Sequence, residues 1–549
     1  MRCPATASFV FAAVALSAVI ARAEAPDSPV AESDADVTSL RWVTFELDGY
    51  FRLRNDLYYR PDLGARVGGI GTPLEELSQN LGKTDADSVL AASNLRLRLS
   101  PSLTIGDRLD IHLTMDVLDN LVLGSSADFH QDRADVHLAA LAEGQAGVED
   151  GIAVKALWLD WDILHGLTFS AGRMFDHFGL GMVANGGHGL DSDYGDSVDR
   201  VGLNIRAFGF TSLWFFDAPS EGATSRMPVD GMGQSVDLGS VDDAIRWGFT
   251  IGMQPFGLAE LDTRAKDLRA GKPVVEWIFR NAFTTQEFES REETDPEECD
   301  AAAAGNQFDC VRLIPRNASL WTPDVWVRLD WHPRPDVKVR VEAELAAMIG
   351  DIERVQTIGD PSSAKEFLAM GGVLQTEVLH GPFRYALEFG GASGDDVAFG
   401  PYGQGFASPD DAAYFQDDRL ANNVEVTRFL FNRDYRVDLL MFREIVGTVT
   451  NSIYLKPTFG WTPIDAESLR IGGSVSLIYG HAVLAESTYG NDNPLGVETD
   501  LNLFYEEPGQ LRVDLDAGLL VPLDGLDNVG LGLASKTAFT LQLRFSLLF

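Results

Sequence analysis

Charged side chains two residues apart are the residues here with the most evident chemistry. Arg52 and Arg54, Arg96 and Arg98, Lys338 and Arg340, Glu342 and Glu344, and Arg512 and Asp514 each recur at i, i+2. In an extended chain that spacing puts both members on one face. Arg328, Arg470 and Arg544 fall on the same kind of face. Rows of charge on one side of strands can form a constriction whose field selects solutes by charge. They can equally be structural cross-strand pairs.

Enzyme chemistry finds less support. GLGLASKT, residues 530–537, misses a phosphate-binding loop because Ser535 stands where the second Gly is required, and a strand follows instead of a helix. There is no G-x-S-x-G elbow and no H-E-x-x-H. The nine His are scattered, which argues against zinc. His177 and His188 share a segment with Ser192 and Ser197, so a hydrolase using Ser and His is the weakest reading carried forward. Asp191, Asp193 and Asp196 in GLDSDYGDSVD are weak candidates for calcium: the ligand order of an EF-hand loop is not kept and its final Glu is missing. No cofactor and no catalytic residue is expected.

The elements that position these charges have a period of two. Phe45, Leu47, Gly49, Phe51 and Leu53 alternate with Glu46, Asp48, Tyr50, Arg52 and Arg54. The same alternation runs through 95–100, 109–117, 337–345 and 511–519. Apart from the shorter 95–100, each run is about 9–13 residues, the length of a tilted membrane-spanning strand. Short turns at 105–108, 165–166, 333–336, 380–382, 463–467 and 507–510 alternate with long polar segments at 55–92, 119–151, 177–198, 218–244, 284–318, 348–365, 393–423, 481–493 and 522–536. Short-long-short-long is the pattern of an outer-membrane barrel with tight periplasmic turns and long external loops. The expected fold is all-β: a transmembrane antiparallel β-barrel of about 18 strands, within a range of 16–20. Segment 424–450 is ambiguous and could add two strands, and the connection 256–273 is long for a tight turn. Trp158, Trp161, Trp214, Trp247, Trp277, Trp321, Trp331 and Trp461 fall within or at the ends of these runs, as an interfacial aromatic belt would.

Residues 1–23, MRCPATASFVFAAVALSAVIARA, have a basic start at Arg2, an apolar run from Phe9 to Ile20 and an Ala21-Arg22-Ala23 cleavage site. That is a secretory signal peptide. Residues 24–43 are then a periplasmic tail and 44–549 the barrel. Cys299 and Cys310 remain, and in a secreted chain the expectation is a disulfide stapling one polar loop, against two free thiols.

The chain has 549 residues, with 43 Lys+Arg against 82 Asp+Glu, a formal net charge of −39. That excludes a nucleic-acid binder working through phosphate contacts. On the strand faces whose parity is clear, eleven cations meet twelve anions, so most of the negative charge lies in the loops. Charge at this density needs water or partners, and an aqueous lumen supplies the water. Glu46 and Asp48 are expected to meet Arg544 where the last strand closes the barrel. The acidic loops either bridge divalent cations to lipopolysaccharide or are a solvated exterior.

The last thirteen residues, TAFTLQLRFSLLF, put Phe539, Leu541, Leu543, Phe545, Leu547 and Phe549 on one face. This resembles the C-terminal insertion signal of bacterial outer-membrane barrels, with Phe545 and Phe549 as its aromatic residues. The resemblance implies recognition by the barrel-assembly machinery. LTFSAGRMFDHFGL, with Gly172, Arg173, Phe175, Phe178 and Gly179, resembles a strand-and-turn element of porins. FELDGYFRLRNDLYY together with RLRLSPSL resembles the start of alginate-export and related 18-stranded barrels. The chain also looks like the uncharacterised, long-looped barrels of myxobacterial outer membranes. These resemblances imply a Gram-negative outer-membrane porin-like barrel and passage of polar or anionic solutes. The lumen is not clearly basic, which sets the chain apart from the alginate pattern.

The sequence therefore predicts a channel for passive diffusion of small hydrophilic solutes, narrowed by an inward-folded loop at 119–151 or 177–198. Its expected partners are outer-membrane lipid, lipopolysaccharide, the assembly machinery, its solutes and further copies of itself, since porins are often trimers. The alternative is a non-conducting structural or adhesive barrel.

Overall fold

The computed structural model describes residues 43–65, 89–122, 152–220, 243–255, 257–292, 311–357, 360–395 and 425–549. The expected signal peptide, Cys299 and Cys310 with their expected disulfide, and most of candidate loop 119–151 lie outside these residues.

Eighteen antiparallel strands form the wall. They are β1 (Val43–Tyr59), β2 (Val89–Ile105), β3 (Leu109–Val122), β4 (Ile152–Leu164), β5 (Leu167–Phe175), β6 (Ser197–Ala207), β7 (Phe210–Ser220), β8 (Ala244–Met253), β9 (Val274–Glu292), β10 (Val311–Arg334), β11 (Val337–Thr357), β12 (Asp360–His380), β13 (Phe383–Ala392), β14 (Ser452–Asp465), β15 (Arg470–Ala482), β16 (Pro494–Glu507), β17 (Leu511–Pro522) and β18 (Ala538–Leu548). Each pairs with its chain neighbours, and β1 also pairs with β18, so the sheet closes with no free edge. Closure removes the free sheet edges whose unpaired backbone groups a lipid environment does not tolerate. Both ends of the wall lie on the short-turn side.

Side-chain alternation sets the faces. Along β18, Ala538, Thr540, Gln542, Arg544 and Ser546 are buried, while Leu541, Leu543 and Leu547 are 36–43% exposed. Trp161, Trp214, Trp247, Trp321, Trp331 and Trp461 are also exposed on the outside. Polar inside and apolar outside is the arrangement of a membrane barrel, the reverse of a soluble one. Trp158 departs from the expected belt. It faces inward and stacks on His112, with ring centroids 4.7 Å apart.

Closure ends on a backbone clasp. Gly49 N–H donates to the Phe549 carbonyl at 2.9 Å, and Phe549 N–H donates back at 3.1 Å. A side chain at residue 49 would collide with the Phe549 ring, so glycine is needed there. The register puts Arg54 opposite Arg544, and Leu548 opposite Tyr50. Glu46 and Asp48 therefore lie beyond the end of β18 and do not meet Arg544, contrary to expectation. The reason is strand length, because β1 runs on past the last residue of β18.

Segment 424–450 adds no spanning strand: only Glu425 and Val426 pair, in parallel, with Glu366 and Phe367 of β12. β13 pairs directly with β14 across it. The connection 256–273 carries one helix, α1 (Leu258–Arg269), rich in Ala, Leu, Glu, Lys and Arg, with Glu260 in its first turn and Lys266 and Arg269 in its last. Those charges complement the helix dipole.

Candidate functional site: two inward loops in the lumen

Two connections on the long-loop side fold into the barrel. The first, residues 176–196, joins β5 to β6. The second, whose described parts are 393–395 and 425–451, lies between β13 and β14.

The first loop bends at glycines. At Gly179, with φ of +56°, an added Cβ would lie 2.5 Å from Glu344 Oε2. The absence of a side chain lets the Leu180 N–H reach and donate to Glu344 on β11. At its root, Asp176 lies between three arginines: Arg200 Nη2 at 3.0 Å, Arg246 Nη2 at 2.7 Å and Arg280 Nη2 at 2.7 Å. Burial alone would raise the Asp176 carboxyl, but Arg280, Arg246 and Arg200 outweigh it and hold it well below the carboxylate range.

Farther along the loop, Asp191 and Asp193 meet the wall arginines. Arg52 Nη2 lies 3.1 Å from Asp193 Oδ1, and Arg54 Nη1 lies 2.9 Å from Asp193 Oδ2. Arg52 also donates to the carbonyls of Leu190 and Ser192, and Arg96 to those of Ser192 and Asp193. Arg98 makes a two-pronged pair with Asp116 on β3, both contacts 2.7 Å, and donates to the Gly187 carbonyl at 3.0 Å. Arg544 Nη1 reaches Asp191 Oδ1 at 2.6 Å and Arg544 Nη2 reaches Asp514 at 3.2 Å.

The second loop locks onto the first. Arg436 Nη2 lies 3.1 Å from Asp193 Oδ2, and Arg443 Nη1 lies 2.6 Å from Asp191 Oδ2. Asp434 accepts the backbone N–H groups of Asp193, Tyr194 and Gly195 at 2.8–3.0 Å. Two aspartates thus sit among guanidinium groups from the wall and from the second loop. For Asp193, burial would raise the carboxyl, but Arg54, Arg52, Arg436 and Arg443 hold it far below its ordinary value. Asp191 is held down in the same way, burial being outweighed by Arg443, Arg544 and Arg54. Asp196 faces elsewhere and accepts from Asn185 N–H and Asn432 Nδ2.

Other expected charges lie on the short-turn side. Arg264 of α1 reaches Glu276 Oε1 at 2.6 Å and also pairs with Asp330. Arg328 pairs with Glu276, and Arg340 Nε lies 2.9 Å from Asp330. Glu342 stands 4.0 Å from both Arg328 and Arg340. Lys338 is exposed near the rim. Arg470 and Arg512 flank Glu506 at 3.3 and 3.8 Å, and Arg512 also pairs with Asp514 at 2.9 Å. Phe545 and Phe549 stand on the outer face of the closing strand.

The arginines of β1 and β2 were expected to meet lumen water. They are instead buried, Arg52 completely: Asp193 of the inward loop meets Arg52 and Arg54, and Asp116 of β3 meets Arg98. The sequence reading did not anticipate the second loop as that partner. Its signal was present: Phe429, Phe431, Leu440, Met441, Phe442 and Ile445 form an apolar set inside a long connection. They pack with inner-wall residues Ala369, Val373, Tyr454, Ile478 and Leu520 into one dry cluster.

Between the second loop and the wall strands β11 to β17 remains a polar cavity of about 400 Å³. Its lining carries seven carboxylates, among them Glu388, Asp500 and Asp516, against five cations, among them Arg340, Arg384 and Lys456. A space of this size admits a small solute.

No family model and no curated protein sequence matches the chain. Among solved structures it is similar to OccAB2 of Acinetobacter baumannii, at 7% identity over 92% of this chain and 98% of that one, with a TM-score of 0.45. It is also similar to OccK8 (OprE) of Pseudomonas aeruginosa, at 8% identity over 92% and 98%, with a TM-score of 0.44. OmpT of Vibrio cholerae, an outer-membrane protein in its trimer form, aligns at 10% identity over 92% and 99%, with a TM-score of 0.33. The architecture rests on the chain's own strand pairing and on its two faces: it is a closed, eighteen-strand antiparallel β-barrel, polar inside and apolar outside as a membrane-spanning barrel is.

Proposed function

We propose that the chain is an outer-membrane channel through which small hydrophilic solutes diffuse passively. One observation carries this reading: two loops enter the lumen and tie to each other and to the wall, yet leave a charged cavity of about 400 Å³ beside them. Arg340 and Glu342 border that passage, as does Asp191 from the loop. Arg52, Arg54, Arg96, Arg98 and Arg544 act at one remove, by holding the first loop across the pore. Arg328, Lys338, Glu344, Arg470, Arg512 and Asp514 complete the inward-facing set.

Selectivity follows from what is left after pairing. The wall arginines are neutralised by aspartates, and carboxylates outnumber cations around the cavity. Such a lumen attracts cations. Lipid covers the outer belt, and the closing strand with Phe545 and Phe549 is the segment the assembly machinery would engage.

A second reading is a non-conducting structural barrel. The dry cluster around Phe429, Leu440 and Phe442 favours it, because that side of the lumen is filled by side chains. Single-channel recording in a planar bilayer separates the two. Discrete steps support the channel, and silence from inserted, folded protein supports the plugged barrel.

A further inference from the structure

The second loop rests on five consecutive backbone N–H groups. Leu439 and Leu440 donate to Glu498 Oε1 at 3.1 and 2.8 Å, and Met441 donates to Glu498 Oε2 at 2.7 Å. Phe442 and Arg443 donate to Asp438 at 3.0 Å each. A run of convergent amides stabilises negative charge. Here it meets more charge than it can serve.

Glu498 is completely buried on β16, and Asp438 is 5% exposed in the loop. Asp500 lies two residues from Glu498 on the same face of β16 and interacts with both. From β17, Asp516 faces the group. From β14 comes Lys456, whose ammonium also donates to the Val437 carbonyl at 2.5 Å. From β15 come only Ser474 and Ser476. The guanidinium of Arg443 turns away to Asp191. Asp516 is itself met by Arg544 of β18 at 3.8 Å, so one ammonium stands among the remaining three carboxylates, Asp438, Glu498 and Asp500. Ionising all of them in a buried space is opposed by desolvation and by mutual repulsion. For Asp438, burial and then the Asp500 charge push the carboxyl up to about 7, against the pull of the Phe442 and Arg443 amides and of Lys456.

We propose that Asp438, Glu498 and Asp500 form a proton-operated latch: the loop segment 437–446 is seated while the trio shares a proton and loosens when that proton is lost. The sign follows from linkage. A carboxyl held above its unfolded value gives stability that is complete below about pH 4 and declines until the pH has passed the folded value. Loosening moves the loop off the cavity it borders, so the passage widens as pH rises. The conductance readout rests on the channel reading; the loop movement itself does not.

The test is single-channel conductance of the refolded mature chain from about pH 5 to about pH 8.5. The expected result is a rise of roughly twofold or more, centred near neutrality. Asp500→Asn, which keeps the shape and removes one charge, should abolish most of the rise. Asp516→Asn, on the next strand, should leave the rise in place but displace it to lower pH, because removing a facing anion eases ionisation of the trio. Conductance that is constant with pH overturns the latch, as does an unaltered rise in Asp500→Asn. Should no steps appear at any pH, the channel reading fails, and amide hydrogen exchange at Leu439–Arg443 in micelles decides the latch alone. Protection must then fall with pH beyond the ordinary base-catalysed increase, and protection that tracks that increase overturns the proposal.

Discussion

Asp193 Oδ2, on the first inward loop, lies 2.9 Å from Arg54 Nη1 on the first wall strand. Both side chains are nearly excluded from solvent, and Arg52 and Arg436 share the same carboxylate. Removing one partner of such a buried set costs about 3–5 kcal/mol, because it leaves the others uncompensated. Asp193→Asn should therefore lower thermal stability in detergent and raise single-channel conductance as the loop leaves the wall. A variant with unchanged melting and unchanged conductance would show that the loop is held by other means.

The first loop should resist acid until the carboxylate range is reached. Asp191 and Asp193 are held below their ordinary values by guanidinium groups. A depressed carboxyl stabilises above its unfolded pKa, about 3.9, and that contribution is lost as pH falls below it. Protease sensitivity of segment 176–196 should stay flat between about pH 7 and pH 5 and rise only near pH 3. Sensitivity rising by pH 5 would contradict the ion pairing.

Charge selectivity should favour cations. Arg384 pairs with Glu377 at the cavity and is 45% exposed in its side chain, so replacing it disturbs the fold little. Arg384→Glu should shift the reversal potential further toward the cation. An anion-selective wild-type chain would mean that the wall arginines, and not the cavity carboxylates, set the field.

The dry side of the lumen should be sensitive to volume. Phe442 is buried among Tyr454 and its loop neighbours, the two rings 5.6 Å apart. Phe442→Ala should destabilise the second loop by about 3–5 kcal/mol and increase conductance or its fluctuation. No effect on either, in a correctly folded variant, would argue that this cluster does not narrow the passage.

Much of this was legible in the sequence because a membrane barrel repeats one physical rule. Phe45 to Arg54 and Thr540 to Leu547 alternate without interruption, and a period of two leaves no doubt about which side meets lipid. Loop 177–198 was a good candidate for the constriction, since its glycines and aspartates suit tight bends and charge pairing. Register was less legible. Glu46 and Asp48 share a face with Arg52, but only the pairing of Leu548 with Tyr50 shows that they pass the end of the closing strand. Segment 424–450 resisted reading for another reason. Phe429 to Ile445 mixes apolar and charged residues without a regular period, because it packs as loop and one π-helical turn against the inner wall. Its seat, Glu498, lies far along the chain, and no local pattern marks that contact.

The most direct measurement is planar-bilayer recording of the refolded mature chain, with its reversal potential in a salt gradient. The account predicts discrete steps with cation preference, and larger steps in Asp193→Asn. Folded, inserted protein that stays silent, in the wild type and in Asp193→Asn alike, would contradict it.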